Sequence, residues 1–513
     1  MGHCVRRLGI VACLILPGRV GAQLPPVGVP GGTVRLELDG GLETFDRRFL
    51  DGEREGFAAD LSSPTLGSDR IPALADAETR IGRIIANPGY RLNLGGLTTD
   101  AQGEIGTGVL GLSLGLTNHI TIFGRIPLVR TRVQTSMQLE PGTADAGLNP
   151  GTDDQLPFIT QLDASLATLS AKLAAGDYDA NPSQKALAQA TLADATTLRG
   201  DLFGLLADPA SASSVLPTTA SAAGTALDSR IAALQTTLSS DLGVTGFTLA
   251  PALPPVALTE PELTQLLTSP AGPVAARLTQ APVTFRGDAE IGASLTLIDQ
   301  WDRGAHRGGF RAAMSGLVRL PTGRRDQSDR PLDIGTGESQ ADIQVDLVTD
   351  LGAGPLGARL NGTYVRQLPS NILTRVASPS QPFVGPDRLA TVRRDPGDIV
   401  AVGVHPFYRL ARTFALTAGL DHWSRGTDQV VYADPASALP GVDASVLAEN
   451  SKANATVLSV GITYANPGGL RPGGTGLPVD ASWSYERVLR AGGGRVPDSH
   501  AIRARFRVYF NVW

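Results

Sequence analysis

Residues 502–512 read Ile-Arg-Ala-Arg-Phe-Arg-Val-Tyr-Phe-Asn-Val, and their alternation decides the fold. Ile502, Ala504, Phe506, Val508, Phe510 and Val512 fall on one face of an extended chain, and Arg503, Arg505, Arg507 and Asn511 fall on the other. Near the opposite end of the chain, Val34, Leu36, Leu38 and Leu42 alternate with Arg35, Glu37, Asp39 and Glu43. In a water-soluble sheet the apolar face would be core. In a transmembrane barrel the polarity inverts, so that the apolar face meets lipid and the charged face lines the lumen. Closure matters because lipid cannot satisfy an open strand edge.

Twelve period-2 segments recur along the chain: Val34–Phe45, Ile105–Leu116, Ile120–Val133, Ala289–Asp299, Phe310–Pro321, Asp342–Leu351, Leu356–Val365, Asp398–Tyr408, Phe414–Ser424, Thr456–Tyr464, Val479–Glu486 and Ile502–Val512. Most approach the 9–11 residues of a tilted membrane-crossing strand. Short links such as Thr117-Asn118-His119 and Gly352-Ala353-Gly354-Pro355 alternate with long ones at 46–104, 134–288, 322–341, 366–397, 425–455 and 487–501. That asymmetry belongs to outer-membrane barrels with an even strand number and both termini inside. It places Asn118 on the periplasmic side, and Asp326 and Asp434 outside. The predicted fold is all-β and transmembrane: an antiparallel outer-membrane β-barrel of about 12 strands, the first pairing with the last, with a large α-helical insertion between strands 3 and 4.

The insertion is 140–285. Leu162, Leu166, Leu169 and Leu173, then Leu227, Ile231, Leu234, Leu238 and Leu242, make helical stripes, and Ser183 to Ala207 is rich in alanine and leucine. Asn181-Pro182 separates the first two helices. The stripes are packing seams rather than a cofactor box, and they predict three or more helices that bury one another without help from the strands. Ala210–Ala223, rich in Ala, Ser, Thr and Pro, is expected to be disordered. Barrel strands 1–3 then occupy 23–139, and strands 4–12 occupy 286–513.

The first 22 residues read as a signal peptide: Arg6 and Arg7, an apolar stretch from Leu8 to Leu16, and small residues at Val20-Gly21-Ala22, with cleavage after Ala22. A lipoprotein reading competes, with Ile10-Val11-Ala12-Cys13 as the cleavage box and Cys13 lipidated. Both cysteines, Cys4 and Cys13, lie in this segment, so no disulfide is expected in the mature chain.

Composition agrees with a turn-rich barrel: 60 glycines and 18% charged residues, with no apolar run long enough for a membrane helix. The net charge is −5, and no basic tract indicates a nucleic-acid partner. Enzyme signals are poor, and no catalytic, cofactor or metal residues are assigned. His119, His306, His405, His422 and His500 are not spaced as metal pairs. His422 and Ser424 share a strand face but have no assignable acid. Asp145 and Asp153-Asp154 could touch a calcium ion but lack the regular oxygen spacing of a dedicated site. Gly335-Thr336-Gly337 is too short for a phosphate loop.

Residues 110–133, LGLSLGLTNHITIFGRIPLVRTRV, carry a resemblance. They resemble the hairpin of outer-membrane proteins associated with the meta-cleavage pathway of phenol degradation. Gly287-Asp288-Ala289-Glu290-Ile291-Gly292, Leu320-Pro321-Thr322-Gly323 and Gly335-Thr336-Gly337-Glu338 are similar to that family's later motifs. The resemblance covers roughly 105–135 and 286–370, and implies an outer-membrane barrel passing small, hydrophobic molecules. Two features depart from the pattern: the helical insertion, and Trp513, which falls one position off the parity of Phe510 and Val512. A bulge or a peeling chain end would correct that parity. With 5% aromatic residues the interfacial girdles are thin, and Tyr464, Trp483, Tyr485, Trp423 and Phe414 are their candidates.

By parity the lumen carries Arg35, Glu37, Asp39, Glu43, Arg125, Glu290, Arg311, Arg319, Asp342, Asp346, Arg359, Asp421, Asp480, Glu486, Arg503, Arg505 and Arg507. They form either a charged pore wall that tunes selectivity or a network of opposite charges filling a narrow barrel. Arg503, Arg505 and Arg507 are expected to pair with Glu37, Asp39, Asp480 and Glu486, because closure seats the last strand between the first and the eleventh. The expected partners are outer-membrane lipid, the barrel-assembly machinery through the C-terminal strand, and an unidentified small-molecule solute. Two functions stay open: a passive channel or porin-like transporter, and a barrel anchor displaying the insertion for binding.

Overall fold

The computed structural model describes residues 27–301, 308–411, 413–466 and 478–512. The signal segment with Cys4 and Cys13, together with His306 and Trp513, lies outside them. Twelve antiparallel strands close into one ring: β1 (Thr33–Phe45), β2 (Gly96–Gly115), β3 (Ile120–Glu140), β4 (Ala289–Asp299), β5 (Gly309–Leu320), β6 (Asp342–Ala353), β7 (Leu356–Gln367), β8 (Ile399–Arg409), β9 (Phe414–Arg425), β10 (Ala453–Ala465), β11 (Val479–Gly493) and β12 (His500–Asn511). The ring shuts between β1 and β12, in register from Thr33 opposite Asn511 to Thr44 opposite His500. Each expected segment is a strand.

The inversion of polarity is plain on β1, where Leu38 is 57% exposed beside Glu37 at 1%. Leu110, Leu112, Ile343, Leu347, Val402 and Phe506 continue the outward apolar belt. Two turns at the end taken as periplasmic, 116–119 and 354–355, are tight, and Gly354 at φ 57° supplies the left-handed residue the second requires. Phe414, Tyr464, Trp483 and Tyr485 share the outward parity, with Phe414 and Tyr464 in contact at 5.1 Å. Trp423 does not. It shares parity with Asp421 and turns inward, because girdle and lumen positions alternate along β9.

β2 and β3 run longer than expected and pair from Gly115 opposite Thr121 up to Gly96 opposite Glu140, so this hairpin stands above the rest of the barrel. Residues Gln280–Arg286, expected within the insertion, instead form a strand on β3, continuing β4 beyond a break at Gly287-Asp288. The insertion contains α2 (Thr152–Ala175), α3 (Pro182–Leu206), α4 (Ala222–Thr236) and α5 (Glu260–Thr268). Another helix, α1 (Ala75–Ile84), lies in the loop after β1, which the sequence reading left unstructured. Ala210–Ala223 is ordered, because Val215–Pro217 pairs with Ala146–Leu148.

The helices do not form a self-sufficient bundle. Leu162, Leu169, Leu202, Leu227 and Leu238 share one core with Ile81 of α1, with Leu61 and Leu66 of its loop, and with Leu97, Ala101 and Val133 of the tall hairpin. Arg83 and Asp201 join α1 to α3 with a 2.5 Å ion pair. Amphipathic helices bury their stripes against whatever apolar surface is near, and here the hairpin and the first loop supply it.

Candidate functional site: a lumen sealed below and hollow above

All seventeen residues read as lumen-facing lie on inward strand faces, but they do two different things at two heights. In the lower half, Glu37 is the hub. It accepts from Arg507 Nε at 2.5 Å and lies 3.4 Å from Arg125 and 3.9 Å from Arg35. Arg507 also reaches Asp480 at 3.9 Å, and the Tyr509 hydroxyl donates to Asp480. On the facing wall Asp350 accepts from both Arg311 and Arg359. Asp346 accepts from Ser315, Thr363 and Gln344. His405 Nε2 lies 3.0 Å from Asp421. Glu37, Asp346, Asp350 and Asp480 are all at most 4% exposed, so this part of the lumen is filled by side chains. Buried charges persist only when paired in this way.

Trp301, in the turn between β4 and β5, closes the lower end. Its ring is 6.4 Å from Phe407, and the guanidiniums of Arg311 and Arg409 each stand 5.0 Å from it. Gly352 is required here, since a Cβ would come within 2.6 Å of the Trp301 ring. Val29 caps the same end, its N–H donating to Thr121 Oγ1 at 2.8 Å.

Higher up, the remaining pairs lie against the wall. Arg505 binds Asp39 at 2.7 Å, Arg503 binds Glu486 at 2.8 Å and approaches Glu43 at 3.8 Å, and Arg319 joins Glu290 at 3.2 Å and Asp342 at 2.9 Å. They leave a cavity of about 350 Å³ roofed by the β5–β6, β7–β8 and β9–β10 loops. Its wall on β2 and β3 is mostly apolar, with Ile105, Val109, Pro127 and Val129 beside Thr107 and Arg125. Across the ring stand Trp423 and Arg425 of β9 with Arg394 from the β7–β8 loop, while Arg503 and Arg505 of β12 lie beside β1. Sequence reasoning missed Trp301, Arg394, Trp423 and Arg425. Inward parity on β9 could have found the last two.

The motifs that carried the resemblance meet at one point on this wall. The Asp288 carboxylate accepts from the N–H groups of Gly323 and Glu338 at 2.8 and 3.0 Å. Thr322 Oγ1 donates to Gly287 O, and Thr336 Oγ1 donates to Arg286 O, each at 2.8 Å. Gly337 has no room for a Cβ, which would meet Asp288 at 2.4 Å. These residues knot the β5–β6 loop onto the break between 280–286 and β4.

No protein-family model matches the chain, and no curated protein matches it either. Solved structures do. An outer membrane channel from Pseudomonas putida F1 aligns over 94% of this chain and 97% of its own, at 11% identity and a TM-score of 0.42. The transport unit of the autotransporter AIDA-I from Escherichia coli aligns over 95% and 93%, at 6% and 0.32. The Pseudomonas putida toluene transporter TodX aligns over 94% and 90%, at 10% and 0.25. What their names say they carry belongs to those proteins.

Within the β5–β6 loop, burial pushes the half-buried Asp326 carboxyl up to about 6, with Asp333 and Glu338 adding to the effect and Arg394 opposing it. The carboxylates weighed as calcium ligands have other roles. Asp145 accepts from Asn93 N–H at 2.8 Å and from Tyr90 Oη at 3.3 Å, while Asp153 and Asp154 sit in the first turn of α2. There they face the positive end of the helix dipole. His422 and Ser424 point outward, and His422 Nδ1 lies 3.1 Å from Thr456 Oγ1.

Proposed function

We propose that this protein is an outer-membrane barrel that admits small molecules from outside into the upper cavity and passes them to the periplasm when the lower seal yields. The cavity carries the reading. Its volume, about 350 Å³, lies within the roughly 300–1,000 Å³ of small-molecule sites. Apolar and charged groups face each other across it. The outward apolar belt and polar interior support residence in lipid, and β12, which closes the ring on β1, is the strand we assign to the assembly machinery.

The test is conductance and solute uptake by the purified full chain in planar bilayers and liposomes. Stepwise currents, or passage of small solutes but not large ones, support the channel. Folded barrels that conduct nothing and admit nothing sink it. A second reading is favoured by the filled lower lumen: a barrel that anchors the helical cap for binding. Orientation is tested by cysteine labelling on intact cells, with Asp434→Cys reactive and Asn118→Cys protected. Asp434 is exposed, whereas Asp326 turns toward the cavity and is the poorer reporter.

A further inference from the structure

One wall of the upper cavity has a cationic subsite beside an aromatic ring. Asp428 is a single carboxylate held by two guanidiniums, from Arg394 Nε at 2.8 Å and from Arg425 Nη2 at 2.7 Å, and it also accepts from Gly397 N–H at 3.1 Å. Arg425 is 6% exposed, and its Nε has no hydrogen-bond partner among the described residues. Asp326 faces Arg394 but forms no ion pair with it. Two residues back along β9, on the same face, Trp423 packs beside Ala453, Ala455 and Val496. Across the cavity stand Val109, Pro127 and Val129.

Two cavity-lining guanidiniums that share one carboxylate keep a net positive charge, which a second anion would offset. A carboxylate suits the fork of an arginine better than a hydroxyl does, and an ammonium would be repelled. The apolar surfaces beside and opposite this subsite suit a hydrocarbon body. We infer that the cavity binds a small amphipathic carboxylate, with its anionic end on Arg425 and Arg394 and its apolar body between Trp423 and the β2–β3 wall. The inference rests on reading the cavity as the solute compartment, and it narrows the solute to an organic anion.

The test is calorimetric titration of the purified full chain with hexanoate, 1-hexanol and hexylamine, which share a chain and differ in head group. Hexanoate should bind at least about tenfold more tightly than hexanol, the minimum expected of one charge-assisted hydrogen bond, and hexylamine should bind least. Arg425→Gln should erase the preference for hexanoate while keeping hexanol binding. Trp423→Ala should weaken both. Arg394→Gln, on the loop rather than the barrel, gives the same reading if Arg425→Gln fails to fold, with folding checked by heat-modifiable gel mobility. Equal affinity for hexanoate and hexanol in the wild type, or a hexanoate preference that survives both arginine variants, overturns the inference. Selective hexanoate binding without conductance would remove the channel and leave the site; conductance without selective binding would do the reverse.

Discussion

The lower and upper halves of the lumen are written in the same alternating code, yet one is solid and the other hollow. Below, Glu37, Asp350 and Asp480 each meet at least one guanidinium, and Trp301 fills the end. Above, Arg503 and Arg505 bind acids along the wall and leave the centre open. Parity sets which side of the strand a residue occupies. Whether the space in front of it is filled depends on side chains that arrive from turns and from strands on the far side of the ring.

The contrast breaks most readily where the upper half depends on its cap. Replacing 145–280 with a Gly/Ser linker should strip the partners from Ile81, Leu66, Leu97 and Val133, a loss of well over about 5 kcal/mol of apolar burial. Folded protein, read by heat-modifiable mobility and by protease resistance of 46–95, should largely disappear. A truncated barrel as resistant as the full chain would show the cap to be dispensable.

Glu37→Gln should come next. It removes the carboxylate that three arginines share in a buried setting, for which a cost of about 3–5 kcal/mol is usual. Urea unfolding of the purified barrel measures it, and a change below about 1 kcal/mol would mean that water reaches this layer.

Trp301→Ala should cost about 3 kcal/mol and raise single-channel conductance, because it empties the lower end while leaving the cavity intact. Unchanged conductance would place the constriction elsewhere.

The smallest effect concerns Asp326. A carboxyl whose folded value is raised to about 6 favours the folded loop when protonated. That contribution is complete below about pH 4 and is lost as pH rises through about 6. Asp326→Asn should therefore melt higher than the wild type at pH 7.5 and converge with it at pH 4. A difference independent of pH would remove the burial argument.

Much of the barrel was legible because lipid enforces a period of two. Leu36 and Leu38 against Arg35 and Glu37 suit a soluble sheet as well, and the alternation of short and long connections selects the barrel. The partners of Arg503, Arg505 and Arg507 followed from closure, since β12 must lie between β1 and β11. The cavity was not legible, because its roof comes from loops with no period. Trp301 was hidden in a turn. Trp423 was assigned outward by residue type, when the parity of Asp421 already placed it inward. α1 did carry a signal in Ala77, Ile81 and Ile84, overlooked in a long connection.

The knot around Asp288 separates two kinds of change that this chain can undergo by descent. Residues 322–323 and 335–338 are tied to the wall through backbone donors and a glycine with no room for a side chain. Residues 325–328 lie between those ties and line the cavity, whereas Leu332 is buried in the core and Asp329 and Asp333 pair with Arg277 and Arg324. Mutations in the first set are exposed to purifying selection whatever the solute. Mutations in the second can drift or be recruited without disturbing how the loop is moored. A lineage meeting a new solute would then diverge within a tract of about four residues, and its ancestry would stay readable on either side of it.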